Sequence, residues 1–366
     1  MIGNPLGNPL GNPLGLKLGG GTGSSIGDIV TRLAPPAGQF LEADGRQLSK
    51  AMYSKLYAAI GDAYSVADFT AGFTAVTLSA SSTWVSIAYG NGLFVAISAA
   101  GLTSVSADGG LTWQAGGTLP AGTWACVTFG NGKFVAVANG ALSAVTADGA
   151  AWASSSMATN TNWKSVVYGA GRFVAVSVDG YVSVSLTQGA TWQGGGNSGA
   201  TAVTYGAGLF VSVLAGSAIA STSIDGVTWT NRTLPSSAAW SSVAYGSGVF
   251  VAVASASAVP AFSSDGIAWS PCPTTAIAST SICWGGQAFV AAANGVMYRS
   301  MNGFSFTITF GPSVAYSAIT FGGGCFVAIA SGTASAARAN IISPTNFNLP
   351  LVKPGDGRST AYIKVA

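Results

Sequence analysis

From residue 84 to residue 342 the chain is a succession of short apolar runs, each closed by glycine or asparagine, of which Gly132-Lys-Phe-Val-Ala-Val-Ala-Asn139 is typical. Runs this short, bounded by turn residues, read as β-strands. Runs that are apolar or small at successive rather than alternate positions read as strands covered on both faces. None approaches the roughly 18 uninterrupted apolar residues of a membrane-spanning helix, and none alternates as the strands of a membrane barrel do.

The runs are copies of one another. Tyr89-Gly-Asn-Gly-Leu-Phe-Val-Ala-Ile is followed by versions starting at Phe129, Tyr168, Tyr205, Tyr245, Trp284 and Phe321, at intervals of 37 to 40 residues. A period near 40 made only of short strands and glycine turns marks the blades of a β-propeller. The expectation is seven four-stranded blades over residues 73–342. In the first, residues 84–89 form the innermost strand, 93–98 the second, 102–106 the third and 111–115 the outermost.

The hairpin between third and fourth strands reads Ser106-Ala-Asp108-Gly-Gly110-Leu-Thr112-Trp113, a pattern that resembles the Asp box of sialidase-like propellers. Related versions carry Asp148, Asp225, Asp265 and Asn302. The chemistry is local: the side-chain oxygen ties down the turn backbone, glycine takes a positive φ, and the closing Trp is buried. These carboxylates are therefore expected to form turns. The seventh copy has no such hairpin. Its outer strand is expected from the other end of the ring, where Phe73-Thr-Ala-Val-Thr-Leu78 reads like Trp229-Thr-Asn-Arg-Thr-Leu234 and would hide both sheet edges.

Composition agrees with an all-strand interior. Only 7% of the 366 residues are charged, 49% are hydrophobic, and 51 are glycine. A net charge of +3 gives no basis for nucleic-acid binding. Cys126, Cys272, Cys283 and Cys325 contain no C-x-x-C pair and read as buried free thiols, with no metal or cofactor implied. The first residues lack the basic start and apolar core of a secretory signal, so synthesis in a host cytoplasm is expected, without membrane insertion.

The flanks differ in character. Residues 1–23 hold three Gly-Asn-Pro-Leu tetrapeptides and a glycine-rich link, read as a leader or attachment segment. Residues 24–72 contain Pro36-Ala-Gly38, an Asp44-Gly45 turn, an expected amphipathic helix capped by Ser49 and ended by Gly61, and Ile60-Gly61-Asp-Ala-Tyr64. A Phe-Asn-Leu-Pro segment appears only near the other end, at Asn346-Phe-Asn-Leu-Pro350, within residues 343–366. Together these segments resemble the phage tail collar domain. The resemblance implies a small α+β domain interrupted by the propeller, a homotrimer, other phage tail proteins as partners, and a place in the virion.

Sialidase-like propellers include glycosidases, which need an arginine cluster, a Tyr/Glu nucleophile pair and an aspartic acid. The single glutamate is Glu42, there is no histidine, and Asp179 is the propeller's one acid outside the Asp boxes apart from Asp68. The expectation is accordingly not an enzyme and no catalytic residue. A binding surface needs less. The face opposite the Asp boxes carries the long links into Trp84, Trp124, Trp163 and Trp240, together with Asn139, Asp179, Tyr181, Arg232 and Asn294. Aromatic rings beside a few polar groups suit a polysaccharide or surface-protein receptor. The expected function is host-surface recognition by a tail tip or short tail fibre through that face, turned away from the collar. The alternative is a structural tail component whose propeller contacts other virion proteins.

Overall fold

The repeated Tyr-Gly-Asn-Gly-Leu-Phe motif folds as a tight antiparallel hairpin, with Tyr89 opposite Phe94 and Gly90 opposite Leu93. Its two turn residues, Asn91 and Gly92, both have positive φ (50° and 78°), as a right-twisted two-residue hairpin requires. This hairpin recurs at every repeat in a computed structural model. The structure describes residues 72–340 throughout and, outside them, the strands Ile29–Arg32, Phe40–Glu42, Gln47–Ser49, Asn346–Asn348 and Thr360–Lys364, with Leu56. Two compact units result, one of Met1–Asp68 with Ile341–Ala366, the other of Phe69–Asn340.

In the first unit Thr360–Lys364 lies between Ile29–Arg32 and Phe40–Glu42 in an antiparallel sheet, and Asn346–Asn348 pairs with Gln47–Ser49. Among the described residues there is no helical element. Leu56 alone has helical geometry, and it is buried; the remainder of the expected amphipathic helix lies outside the described residues. The expectation of an α+β collar-like domain is corrected to a mainly β chain.

In the second unit each repeat seats its neighbour through one glycine. A Cβ on Gly90 would stand 2.0 Å from the ring of Phe129. The same holds for Gly130 on Tyr168, Gly169 on Tyr205, Gly206 on Tyr245, Gly246 on Trp284 and Gly285 on Phe321, and Gly322 returns to Tyr89 at 1.9 Å. These contacts form a closed ring. A second stitch is polar: Ser86 Oγ accepts from the Val127 N–H at 3.0 Å, and Ser165, Ser242 and Ser281 do the same for Val203, Ile282 and Ile319. Backbone donors on the inner strands are thus satisfied by the preceding repeat.

The expectation of seven separate four-stranded blades is corrected. Counted by continuous hydrogen bonding the propeller has five sheets, three of four strands and two of six. The cause lies in Thr74–Gly90 and Ala153–Gly169, two strands of 17 residues each. Each runs unbroken from the outer position of one repeat to the inner position of the next, where the sequence suggested a loop, and joins two repeats into one sheet. The N-terminal strand closes the ring as its sequence indicates, with Thr74 opposite Arg338 and Thr77 opposite Ser335. Phe73 stands where an Asp-box Trp would stand. Its ring lies 6.5 Å from Phe326 at 47°, against 6.3 Å and 48° for Trp113 on Phe94.

The Asp-box oxygens do turn chemistry. Asp225 Oδ1 accepts from the Val227 and Thr228 N–H groups at 2.8 Å, and Asp265 and Asn302 repeat this pattern. In the third repeat Thr187 replaces the acid, its Oγ1 accepting from the Thr191 N–H at 2.8 Å.

The inner turns carry a residual strain. Ala170 and Ala207 hold φ of 46° and 48° at the position Asn91 occupies in the first repeat. A left-handed residue with a Cβ is disfavoured by about 1–2 kcal/mol, and asparagine tolerates the conformation better than alanine. Ala207→Asn is expected to stabilise the protein by about 0.5–1 kcal/mol, read as a higher urea midpoint at unchanged slope.

Candidate recognition face

The links into the inner strands and those between second and third strands lie on one face, opposite the Asp boxes. The structure separates the candidate residues of this face into three groups.

Trp84, Trp124, Trp163 and Trp240 are buried, at 0–1% exposure, and offer no surface to a receptor. Trp84, Trp124 and Trp240 donate their indole N–H to the carbonyl four residues earlier, that of Ala80, Pro120 or Ser236, at 3.0–3.3 Å. The link folds over the ring and seals it between repeats. Tyr316 fills this role in the seventh repeat through a 2.7 Å bond to the Pro312 carbonyl. Their place among the receptor contacts is therefore corrected to that of core plugs.

Arg232 and Asn294 stand apart. Arg232 lies not in a loop but in the strand Thr230–Ala238, half-buried, its Nε donating to Thr222 Oγ1 at 3.1 Å. Asn294 is exposed in the sixth repeat, its backbone bridging to Ala315.

Asn139, Asp179 and Tyr181 are brought together with residues the sequence reading passed over. Asn139 pairs in register with Asn162. Asp179 Oδ2 accepts from Thr161 Oγ1 at 2.7 Å and from both the backbone N–H and the Nδ2 of Asn162 at 3.3 Å. Tyr181 follows Gly180, whose φ of 98° turns the loop, and is 50% exposed, with its N–H held by Ser177 Oγ at 3.0 Å. The Thr161 bond first, then the Asn162 backbone N–H, hold the Asp179 carboxyl below its ordinary range, and Lys164 adds to the effect. The signal for Thr161 and Asn162 was available: Thr159-Asn-Thr-Asn162 is a polar run before a Trp where other links carry mostly small or apolar residues.

Other reactive groups are occupied or covered. A cavity of about 360 Å³ at the opposite face is lined by Asp108 and Asp148, but the oxygens of Asp108 accept from Leu111, Thr112 and Ser106, and Asp148 Oδ1 from Ala150 and Thr146. The four cysteines are free thiols. Burial pushes Cys272 up to about 12 and raises the others as well. Among the described residues no group of three or more His, Cys, Asp or Glu side chains is placed to hold a metal ion, and no helix is long and apolar enough to cross a membrane.

These features define a β-propeller protein. Among solved structures it is similar to virginiamycin B lyase from Staphylococcus aureus, with 12% identity and a TM-score of 0.64 over 74% of this chain and 99% of that one. It is similar also to YCF48 from Cyanidioschyzon merolae, with 15% identity and a TM-score of 0.58 over 73% and 98%. A third is the Pan2 WD40 domain of Neurospora crassa, with 8% identity and a TM-score of 0.58 over 76% and 99%. Likeness at this identity shows the fold alone. No protein-family model matches the chain, and no curated protein matches it. The resemblance to a tail collar bearing a seven-bladed propeller is corrected accordingly, since the similar structures are propellers. The expectation that the chain is not an enzyme is corrected too: a streptogramin B lyase is among the similar structures, so this architecture does not exclude catalysis.

Proposed function

We propose that the propeller is a recognition module that engages a host cell surface through the face carrying Asp179 and Tyr181, in the role of a phage tail-tip or tail-fibre protein. One observation carries the recognition reading. On that face the half-exposed Tyr181, its backbone N–H held by Ser177, and the Asp179 carboxylate, oriented by Thr161 and Asn162, stand two residues apart across Gly180. Preorganised groups of this kind favour binding because little side-chain entropy remains to be lost. YCF48, a propeller of similar fold, has been solved bound to a D1 peptide, which supports the use of such a scaffold for recognition.

Binding of purified protein to host cells is the test of the adhesion role. Tyr181→Asp is expected to reduce cell binding at least ten-fold. Lys133→Glu, next to the hairpin turn on the opposite face, should leave it unchanged. Because Asp179 titrates below the ordinary carboxylate range, it stays ionised as pH falls from 8 to 5, and binding should be flat across that window. Loss with acid would begin only as pH falls through the lowered value. Loss of binding between pH 8 and 6 would remove Asp179 from the site, and equal loss in both variants would place the receptor elsewhere.

A further inference from the structure

Of the five repeats that place a large aromatic ring at the start of the inner strand, the third alone leaves that ring's polar group without a partner among the described residues. Between Ser156, opposite Leu142, and Thr161, opposite Gly140, the strand carries four residues against the single Ala141. The same four-against-one bulge precedes Trp84 and Trp240, whose indoles are capped all the same, so the third repeat differs in the indole bond and not in the bulge. Trp163 Nε1 is left buried without a partner among the described residues, and so is Asn139 Oδ1 on the neighbouring strand. Buried polar atoms are nearly always satisfied, so two orphans beside one link mark this rim as less completely packed by its own chain.

The groups around these two atoms limit what the rim would bind. Asp179 uses Oδ2 for three donors, and no described residue donates to its Oδ1, which remains an oriented acceptor. Asn162 lies across from Asn139 in register and supplies amide chemistry beside it. Tyr181, the first residue of the strand Tyr181–Ser185, is half-exposed and brings an aromatic ring to the same rim. Lys164 lies near enough to act on Asp179 electrostatically, so the site holds one charge of each sign and favours neither an anion nor a cation. Hydroxyls that donate and accept, set around a ring with an apolar face, answer all of these groups at once.

We infer that the rim of the third repeat, formed by Asn139, Asn162, Asp179 and Tyr181, is a subsite for a neutral sugar ring. The sugar stacks on Tyr181 and directs vicinal hydroxyls to Asp179 Oδ1 and the asparagine amides. This deepens the recognition reading above and rests on it.

The test is saturation-transfer NMR on the intact chain with methyl glucoside, methyl galactoside and the trimer of N-acetylglucosamine, alongside polysialic acid and a lysine-rich peptide. At least one neutral saccharide is expected to bind. Tyr181→Ala and Asp179→Ala should each weaken that binding ten-fold or more, with melting profiles unchanged, and Lys133→Ala should have no effect. If Asp179→Ala does not fold, Tyr181→Ala decides alone. The inference is overturned if no neutral saccharide gives a signal, if the charged probes bind better, or if binding survives Tyr181→Ala. Cell binding after periodate or protease treatment separates this failure from that of the wider reading. Binding abolished by protease but resistant to periodate would keep the recognition face and discard the sugar, and absence of cell binding altogether would discard both.

Discussion

Gly206→Ala is expected to destabilise the protein by about 3 kcal/mol or more, or to prevent folding, although it adds one methyl group. The new Cβ would stand 2.0 Å from Cγ of Tyr245, well inside van der Waals contact. The ring cannot withdraw, because it is packed against Phe250 with centroids 4.6 Å apart, and Phe250 is fully buried. Relief would require the two repeats to separate, and a closed ring passes that displacement to every other interface. Gly194→Ala is the matched control: a Cβ there meets nothing within 4 Å and the φ is not positive, so the change should be neutral or slightly stabilising. Urea denaturation of both variants checks the pair. A loss below about 1 kcal/mol at Gly206 would show that the ring contact is not a constraint on the fold.

That contact explains what the sequence disclosed and what it concealed. The recurrence of aromatic-Gly-x-Gly was legible as a repeat because each copy makes the same hairpin locally. The reason for the first glycine is a ring about 40 residues onward, and no local rule reveals it. Ring closure was legible because Phe73–Leu78 resembles an outer strand and the seventh repeat lacks one. The sheet count was not, since it depends on Ser79–Thr83 and the corresponding link before Trp163 remaining extended rather than looping, and runs of Ser, Ala and Thr permit either. The collar-like fold rested on short motifs at the two ends of the chain, whose described strands do pair with one another, and most of the expected helix around Leu56 lies outside the described residues.

The site was legible in part for a similar reason. Asp179 and Tyr181 departed from the repeat, and departures in a repeat protein mark positions where packing does not dictate the residue. Thr161 and Asn162 departed too, but lay in a link whose counterparts also vary, and only the hydrogen bonds to Asp179 single them out. The tryptophans misled because they recur at the mouths of links, where exposure and burial look alike in sequence. The indole N–H bonded four residues back separates the two states, and it depends on how the link folds.

Those tryptophans carry the other large expected effect. Trp240 is fully buried among Val213, Leu234, Ala252, Ala254 and Ala261, and Trp240→Ala should cost about 3–5 kcal/mol through the cavity it opens. The conservative change separates packing from hydrogen bonding. Trp240→Phe also removes the donor to the Ser236 carbonyl, a bond worth about 1 kcal/mol. Trp163→Phe removes no such bond, and it deletes a buried N–H that has no partner among the described residues. Trp163→Phe should therefore be the milder of the two by about 1 kcal/mol or more, because the desolvation cost of the orphan donor disappears with it. Chemical denaturation of both Phe variants in saccharide-free buffer makes the comparison. Equal losses would mean that the Trp163 N–H is already satisfied in the free protein, and the rim of the third repeat would lose one of its two orphan groups.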